Sequence, residues 1–219
     1  MSGEGEETFK ELLSYYQACF QKACAGEEGL ERNDLSAIKG LVLREGRTPE
    51  RAPLSMDELP FLYDSLDTFE NKIIYYESSR GCPFRCSYCL SAIDKTVRLR
   101  SLDKVKKELQ FFLDRKVPQV KFIDRTFNAN HEHALSIWRY LIENDNSVTN
   151  FHFEIAADIM TQEEIDLLAQ MRPGLVQLEI GVQSTNEKTL REINRFVNTA
   201  HIAKVVEELK KSANVHIHL

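Results

Sequence analysis

From residue 71 onward, short apolar runs alternate with segments whose apolar positions recur every three or four residues. The first run, Lys72-Ile-Ile-Tyr-Tyr-Glu77, is β-branched and aromatic, which predicts a strand. Residues 102–116 follow with Val105, Leu109, Phe112 and Leu113 along one side, the period of a helix, and Ser101 stands where an N-cap belongs. The alternation then predicts strands at 120–124, 151–157, 175–182 and 215–219. Helices are predicted at 132–144, from about 161, at 187–194 and at 200–211. The Thr161 hydroxyl is placed to cap its helix ahead of Glu163 and Glu164. Strands joined by helices of this length predict parallel βαβ units, an α/β fold. Two architectures fit: an open doubly wound sheet, and part of a β/α barrel. No Gly-x-Gly-x-x-Gly follows the first strand, which disfavours the dinucleotide-binding version of the former.

Residues 1–70 read differently. Phe9, Leu12, Leu13, Tyr16, Phe20 and Ala23 predict one amphipathic helix over 7–23. An acidic, glycine-bearing segment follows, then a short apolar run from Ile38 that predicts a strand, then a proline-punctuated stretch through Pro60 that predicts an extended linker. This region is too short to bury a core of its own. The expected organisation is therefore a remnant of a preceding domain with its linker at 1–70 and a β/α unit at 71–219. A chain that stops on an apolar strand leaves an unpaired edge. That predicts a piece of a longer protein, truncated after about five strands, whose last strand pairs with another copy as an edge-paired or strand-exchanged homo-oligomer.

Composition changes the picture in two respects. The net charge is −6, which disfavours nucleic acid held by a general basic field. No stretch approaches the ~18 uninterrupted apolar residues of a membrane span, and the acidic N-terminus carries no secretory signal, so a cytoplasmic protein without membrane contact is expected. There are five cysteines, and three fall within eight residues. An odd count without an export signal points to metal or redox chemistry rather than to disulfides.

The three cysteines lie in Cys82-Pro-Phe-Arg-Cys86-Ser-Tyr-Cys89, after the first strand of the repeat. They sit in a predicted loop of about twenty residues, far above the usual ~2–6 of a βα connection. Long loops at the C-terminal ends of parallel strands are where barrel active sites form. Three thiolates can take three corners of an iron–sulfur cubane, whereas an electron carrier uses four. Cys19 and Cys24 lie in the other region, as ordinary helix-face residues, so one iron would keep an open position. The second possibility is a zinc-stabilised β/α interaction module without catalysis, although zinc motifs generally come as two halves and a second half is missing.

This CxxxCxxC spacing, with Tyr88 just before the last cysteine and at this place in a β/α repeat, resembles the radical S-adenosylmethionine superfamily. The resemblance covers roughly residues 71–219. It implies a partial β/α barrel, with Cys82, Cys86 and Cys89 holding a [4Fe–4S] cluster whose unique iron chelates S-adenosylmethionine. It also implies reductive cleavage of that cosubstrate to a 5′-deoxyadenosyl radical, fed by an external electron donor of the flavodoxin or ferredoxin type. Gly3-Glu-Gly-Glu-Glu-Thr-Phe9 and Asp57-Glu-Leu-Pro60 resemble the segments that close a cobalamin-binding domain and enter the barrel in one subgroup. The cobalt-coordinating Asp-x-His-x-x-Gly is absent, so the resemblance leaves cobalamin open for a full-length protein and excludes it from these residues. The fragment alone is expected to be incomplete as an enzyme.

By the same resemblance, cosubstrate contacts are expected at Tyr88, at Asp124 and Thr126 after the second strand, at Glu154 on the third, and at Gln183 and Ser184 after the fourth. Glu179 and Arg125 are placed either to contact the cosubstrate or to pair within the barrel. His131 and His133 open a helix and are expected to be solvated. His216 and His218 share one face of the last strand, pointing to a hydrogen-bonded barrel interior. The basic residues Arg98, Arg100, Lys104, Lys106 and Lys107 are expected on solvated surface. Phe111, Phe112, Trp138 and Tyr140 are expected to pack.

Overall fold

The computed structural model of the chain describes residues 1–25, 32–66, 69, 72–94 and 96–219. Two compact units are present, Met1–Ser55 and Met56–Leu219. The boundary lies earlier than the expected 70/71, because the segment after Met56 is bound into the second unit through its carbonyls, as described below.

In the first unit, helix α1 spans Glu6–Cys24, close to the prediction. Strands β1 (Val42–Leu43) and β2 (Gly46–Arg47) form a small antiparallel hairpin where a single strand was predicted. The Thr8 hydroxyl donates to the Lys39 carbonyl at 2.9 Å, and Arg51 reaches Glu11 at 2.6 Å. The helix is as expected, but its apolar side is not covered: Phe9, Leu13, Tyr16 and Phe20 are all at least half exposed. The acidic segment at 26–31 lies outside the described residues.

The second unit is built on strands β3 (Ile74–Tyr76), β6 (Gln119–Phe122), β7 (Asn150–Ile155), β8 (Val176–Ile180) and β9 (His216–His218), all parallel and adjacent in that order. Two short antiparallel strands, β4 (Ser79–Arg80) and β5 (Arg98–Leu99), close the base of the cysteine loop. Crossovers are α2 (Leu102–Asp114), α3 (His131–Glu143), α4 (Gln162–Leu168), α5 (Glu187–Glu192) and α6 (Thr199–Lys211). Each main strand pairs with the next one in the chain, so there is no switch point. Thr161 and Glu164 form a full capping box at α4. Ser101 makes no side-chain cap; its N–H instead donates to Asp57 Oδ1 at 2.8 Å.

One face of the sheet decides between the two expected architectures. Ile74, Tyr76, Val120, Phe122, Phe151, Phe153, Val176, Leu178 and Ile180 join one core with Val105, Leu109 and Phe112 of α2, Trp138 of α3 and Val205 and Leu209 of α6. The aromatic centre is tight, with Phe153 at 4.5 Å from Phe122 and 4.3 Å from Phe127 between ring centroids. Of the intervening strand positions, Tyr75, Lys121, Glu154, Gln177 and Glu179 are exposed or half-buried and His152 is buried against Glu179. Helices therefore cover a single face, as in a barrel wall, and the parallel strands alternate apolar and polar rather than being buried on both sides. The fold is a partial β/α barrel.

Two histidine and arginine expectations are corrected. His133 is buried rather than solvated, its Nε2 has no hydrogen-bond partner among the described residues, and burial depresses its imidazole to about 4. Arg100 is only 4% exposed. Its Nε donates to Glu108 Oε2 at 2.8 Å, and its other nitrogens to the carbonyls of Met56 (2.6 Å) and Leu59 (3.0 Å). Tyr76 completes the network with a 2.7 Å hydrogen bond to Glu108. Its fork of donors is what folds the segment after Met56 onto the barrel unit.

Removing one partner of a buried ion pair leaves the other charge uncompensated, a cost of ~3–5 kcal/mol. Arg100→Met is therefore expected to lower stability by about that amount in urea denaturation. Arg100→Met combined with Glu108→Met should recover much of the loss; a double variant as unstable as the single one would contradict this account.

Candidate functional site

Gly81 fixes the direction in which the chain enters the cysteine loop. Its φ is +105°, and a Cβ there would lie 1.9 Å from the Thr96 carbonyl oxygen, so only glycine fits between the two sides of the loop base. Beneath the loop, Asp124 is fully buried at the end of β6. Its carboxylate accepts from the Ser78 N–H (2.9 Å), the Ser78 hydroxyl (2.7 Å) and the Ser79 hydroxyl (2.9 Å). The expected cosubstrate contact at Asp124 is thus replaced by a structural tie between the ends of β3 and β6. Burial pushes the carboxyl up to about 6, against the pull of those donors.

The loop places all three cysteines on a cavity of about 240 Å³ at the C-terminal ends of the strands. Thr126, Glu154, Gln183 and Tyr88 line the same cavity, so four of the six expected cosubstrate residues are brought together with the thiols. Thr126 Oγ1 lies 3.4 Å from Cys82 Sγ. Tyr88 donates its hydroxyl to Gln183 Oε1 at 3.1 Å. Gln183 adopts a left-handed φ of +65°, and its amide folds back over Gly181, where a Cβ would meet Nε2 at 2.5 Å. Ser184 is not in the lining; its Oγ accepts from the Asn186 N–H at 3.1 Å within its own turn.

Other residues belong to the site although the sequence did not single them out for it. Arg195, from the turn after α5, lines the cavity and donates to the Gly181 carbonyl at 2.7 Å. Arg125, for which the sequence left cosubstrate contact and pairing within the barrel both open, lines it as well. Asn128 is fully buried and holds the loop after β6 to the end of β7, donating to the Ala156 carbonyl and accepting from the Ala156 N–H. No periodicity marks such loop residues, since tertiary contact alone defines their role.

The cavity opens onto the concave face of the sheet. There Lys121 donates to Glu179 at 3.1 Å and lies 3.7 Å from Glu154, and His152 Nε2 is 3.0 Å from Glu179. The hydrogen bond from Lys121, followed by the Lys121 charge and His152, holds the Glu179 carboxyl below its ordinary range despite partial burial. The His152 and His218 rings stack at 5.7 Å, and His218 is 3.4 Å from Gln177. His216 and His218 share the concave face as expected, but both are exposed.

Three free thiols on one loop, set at the mouth of a one-sided β/α wall, are now joined by a family match: the model of the radical SAM superfamily covers residues 76–218. The chain belongs to the radical SAM superfamily. An uncharacterised methyltransferase of Pyrococcus horikoshii is 27% identical over 223 residues, covering 95% of this chain and 45% of the relative. A 2-(S-pantetheinyl)-carbapenam-3-carboxylate methyltransferase of Streptantibioticus cattleyicolor is 26% identical over 142 residues, 57% of this chain and 19% of the relative. Among solved structures, the radical S-adenosylmethionine methyltransferase TsrM of Kitasatospora setae, with cobalamin and a [4Fe–4S] cluster bound, superposes with a TM-score of 0.70. That match covers 99% of this chain and 44% of TsrM at 16% identity. The cobalamin-dependent radical enzyme OxsB gives the same TM-score over 98% of this chain and 32% of its own, at 20% identity. These likenesses establish the radical SAM fold. The chain spans less than half the length of these relatives.

Asp124 provides a pH test of this geometry. Its folded value of about 6 lies above the ordinary 3.8, so the folded state binds the proton more readily than the unfolded one. Its contribution to stability is complete below pH ~3.8 and is lost as pH rises through ~6. A carboxyl-carbon NMR titration should show the Asp124 midpoint near 6, and Asp124→Asn should abolish that part of the pH dependence. A midpoint below 4 would contradict the burial described.

Proposed function

We propose that this chain is the cluster- and cosubstrate-binding part of a radical SAM enzyme, with methyl transfer as the reaction class. The observation that carries the reading is the convergence of Cys82, Cys86 and Cys89 with the ends of β6, β7 and β8 on one cavity. The donor set suits a [4Fe–4S] cluster. All three are free thiols, Cys82 and Cys89 half-buried and Cys86 buried. A cubane takes its thiolates at separate corners.

Cys82, Cys86 and Cys89 would hold the cluster and leave one iron to the cosubstrate. When bound there, the cluster supplies one-electron reduction of a sulfonium, with the electron coming from an external low-potential donor. The protein's own part is to bind, orient and exclude water. The cosubstrate's carboxylate would be met by the guanidinium of Arg125, in the lining. Its ammonium is met by Glu154 and the Thr126 hydroxyl, and its ribose hydroxyls by Gln183, whose amide Tyr88 holds. The loop that Gly81 and Asp124 anchor would keep bulk water from the site. Methyl transfer is inferred from the names of the relatives, and cobalamin, bound in TsrM, is assigned to segments other than these 219 residues. Residues 1–55 are read as the end of the preceding domain.

Anaerobic reconstitution with iron and sulfide tests the assignment. The brown protein should carry close to four irons per chain and bind S-adenosylmethionine, and replacing all three loop cysteines by alanine should abolish iron uptake. A colourless protein that retains one zinc instead would establish the interaction module and overturn the enzyme reading.

A further inference from the structure

The turn that follows α5 meets the cysteine loop at three consecutive residues. The Ser87 N–H donates to the Ile193 carbonyl at 2.9 Å. Asn194 Nδ2 donates to the Arg85 carbonyl at 2.7 Å. Arg195 Nη1 lies 3.7 Å from Cys86 Sγ, and its guanidinium sits 5.6 Å from the centre of the Phe84 ring. Residues 84–87 are thus gripped on both backbone and side chain by residues 193–195.

The turn itself is stiff. Asn194 has a left-handed φ of +55°, its N–H donates to the Arg191 carbonyl (3.1 Å), and the Arg195 N–H reaches the Leu190 carbonyl (2.9 Å). Those two bonds make a Schellman motif, which ends α5 and fixes the direction of the next residue. Leu190 anchors the helix in the interior at 4% exposure. Arg195 is held at its far side by the Gly181 carbonyl, and its Nε is buried without a partner among the described residues. The guanidinium is thus held on the Gly181 carbonyl with its other end facing the Cys86 sulfur.

We propose that residues 193–195 clamp the cysteine loop, and that Arg195 is a positioning residue that raises the reduction potential of the cluster held by Cys86. The second half rests on the function proposed above. One-electron reduction adds one negative charge to the cluster. A cationic N–H donor directed at a ligand sulfur stabilises that more negative state, and hydrogen bonds to the sulfurs are among the determinants of cluster potentials.

The test uses the full 219-residue chain, as wild type, Arg195→Met and Arg195→Lys. Each is reconstituted anaerobically and titrated with dithionite through viologen mediators, the midpoint being read by electron paramagnetic resonance. Arg195→Met should load normally and lower the midpoint by the equivalent of a roughly tenfold change in the reduction equilibrium, ~59 mV for one electron. Arg195→Lys should restore more than half of that shift. Equal midpoints in wild type and Arg195→Met, or a lysine variant as low as the methionine one, overturns the assigned role. A second measurement needs no variant and no cluster: in the apo protein the Ser87 amide should exchange as slowly as the strand amides of β7, and rapid exchange overturns the clamp. Failure of the wild-type chain to take up iron overturns the proposed function and the potential argument with it, while the Ser87 result still decides the clamp.

Discussion

Helices packed against only one face of a five-stranded parallel sheet are the constraint on which the rest of this molecule depends. The apolar positions of each strand, such as Phe151, Phe153 and Ile155 in β7, are consumed by the helical layer. The alternate positions are left for polar side chains that would be costly in a two-sided sheet. Lys121, Glu154 and Glu179 occupy them, and each charge finds a partner across the strands. The adjacent ends of β6, β7 and β8 then meet the cysteine loop, so that residues far apart in the chain share one cavity.

A long loop carrying the thiols must be ordered against its own entropy. Several independent ties do this. β4 and β5 close its base, Asp124 binds Ser78 and Ser79 from below, and Gly81 lets the two sides approach. The turn after α5 holds its middle. Arg100 and Glu108 stiffen the point where the chain leaves the loop for α2. The ties made by Asp124 and Arg100 use buried polar groups, where a hydrogen bond to a charged partner is worth more than at the surface, while the Asn194 bond lies at the surface. The site is consequently made of charged and polar groups whose partners mostly lie in other elements.

The same economy separates residues that look alike in sequence. Asp124 and Glu154 both end strands, yet Asp124 is sealed inside and Glu154 faces the cavity. Arg98 and Arg100 are two residues apart, and Arg100 alone is the interior strut that draws Met56 and Leu59 onto the barrel unit. Gln183 and Ser184 are adjacent, and a left-handed backbone at Gln183 sends only the first toward the thiols.

Local pattern was enough for the main strands and helices, for the capping of α4 by Thr161 and Glu164, and for the three cysteines, because periodicity, capping and motif spacing are properties of neighbours along the chain. The short β4–β5 pairing, the burial of His133 and Arg100, and the exposure of the apolar side of α1 were not legible there. Those features depend on which surfaces meet, and surfaces meet only once the strands have taken their order. The sequence by itself determined an α/β repeat with a thiol trio at its first turn; the tertiary structure alone decided that the helices lie on one side, that Asp124 belongs to the scaffold, and that Arg195 stands beside Cys86, since each of these is a contact between segments with no periodic relation to one another.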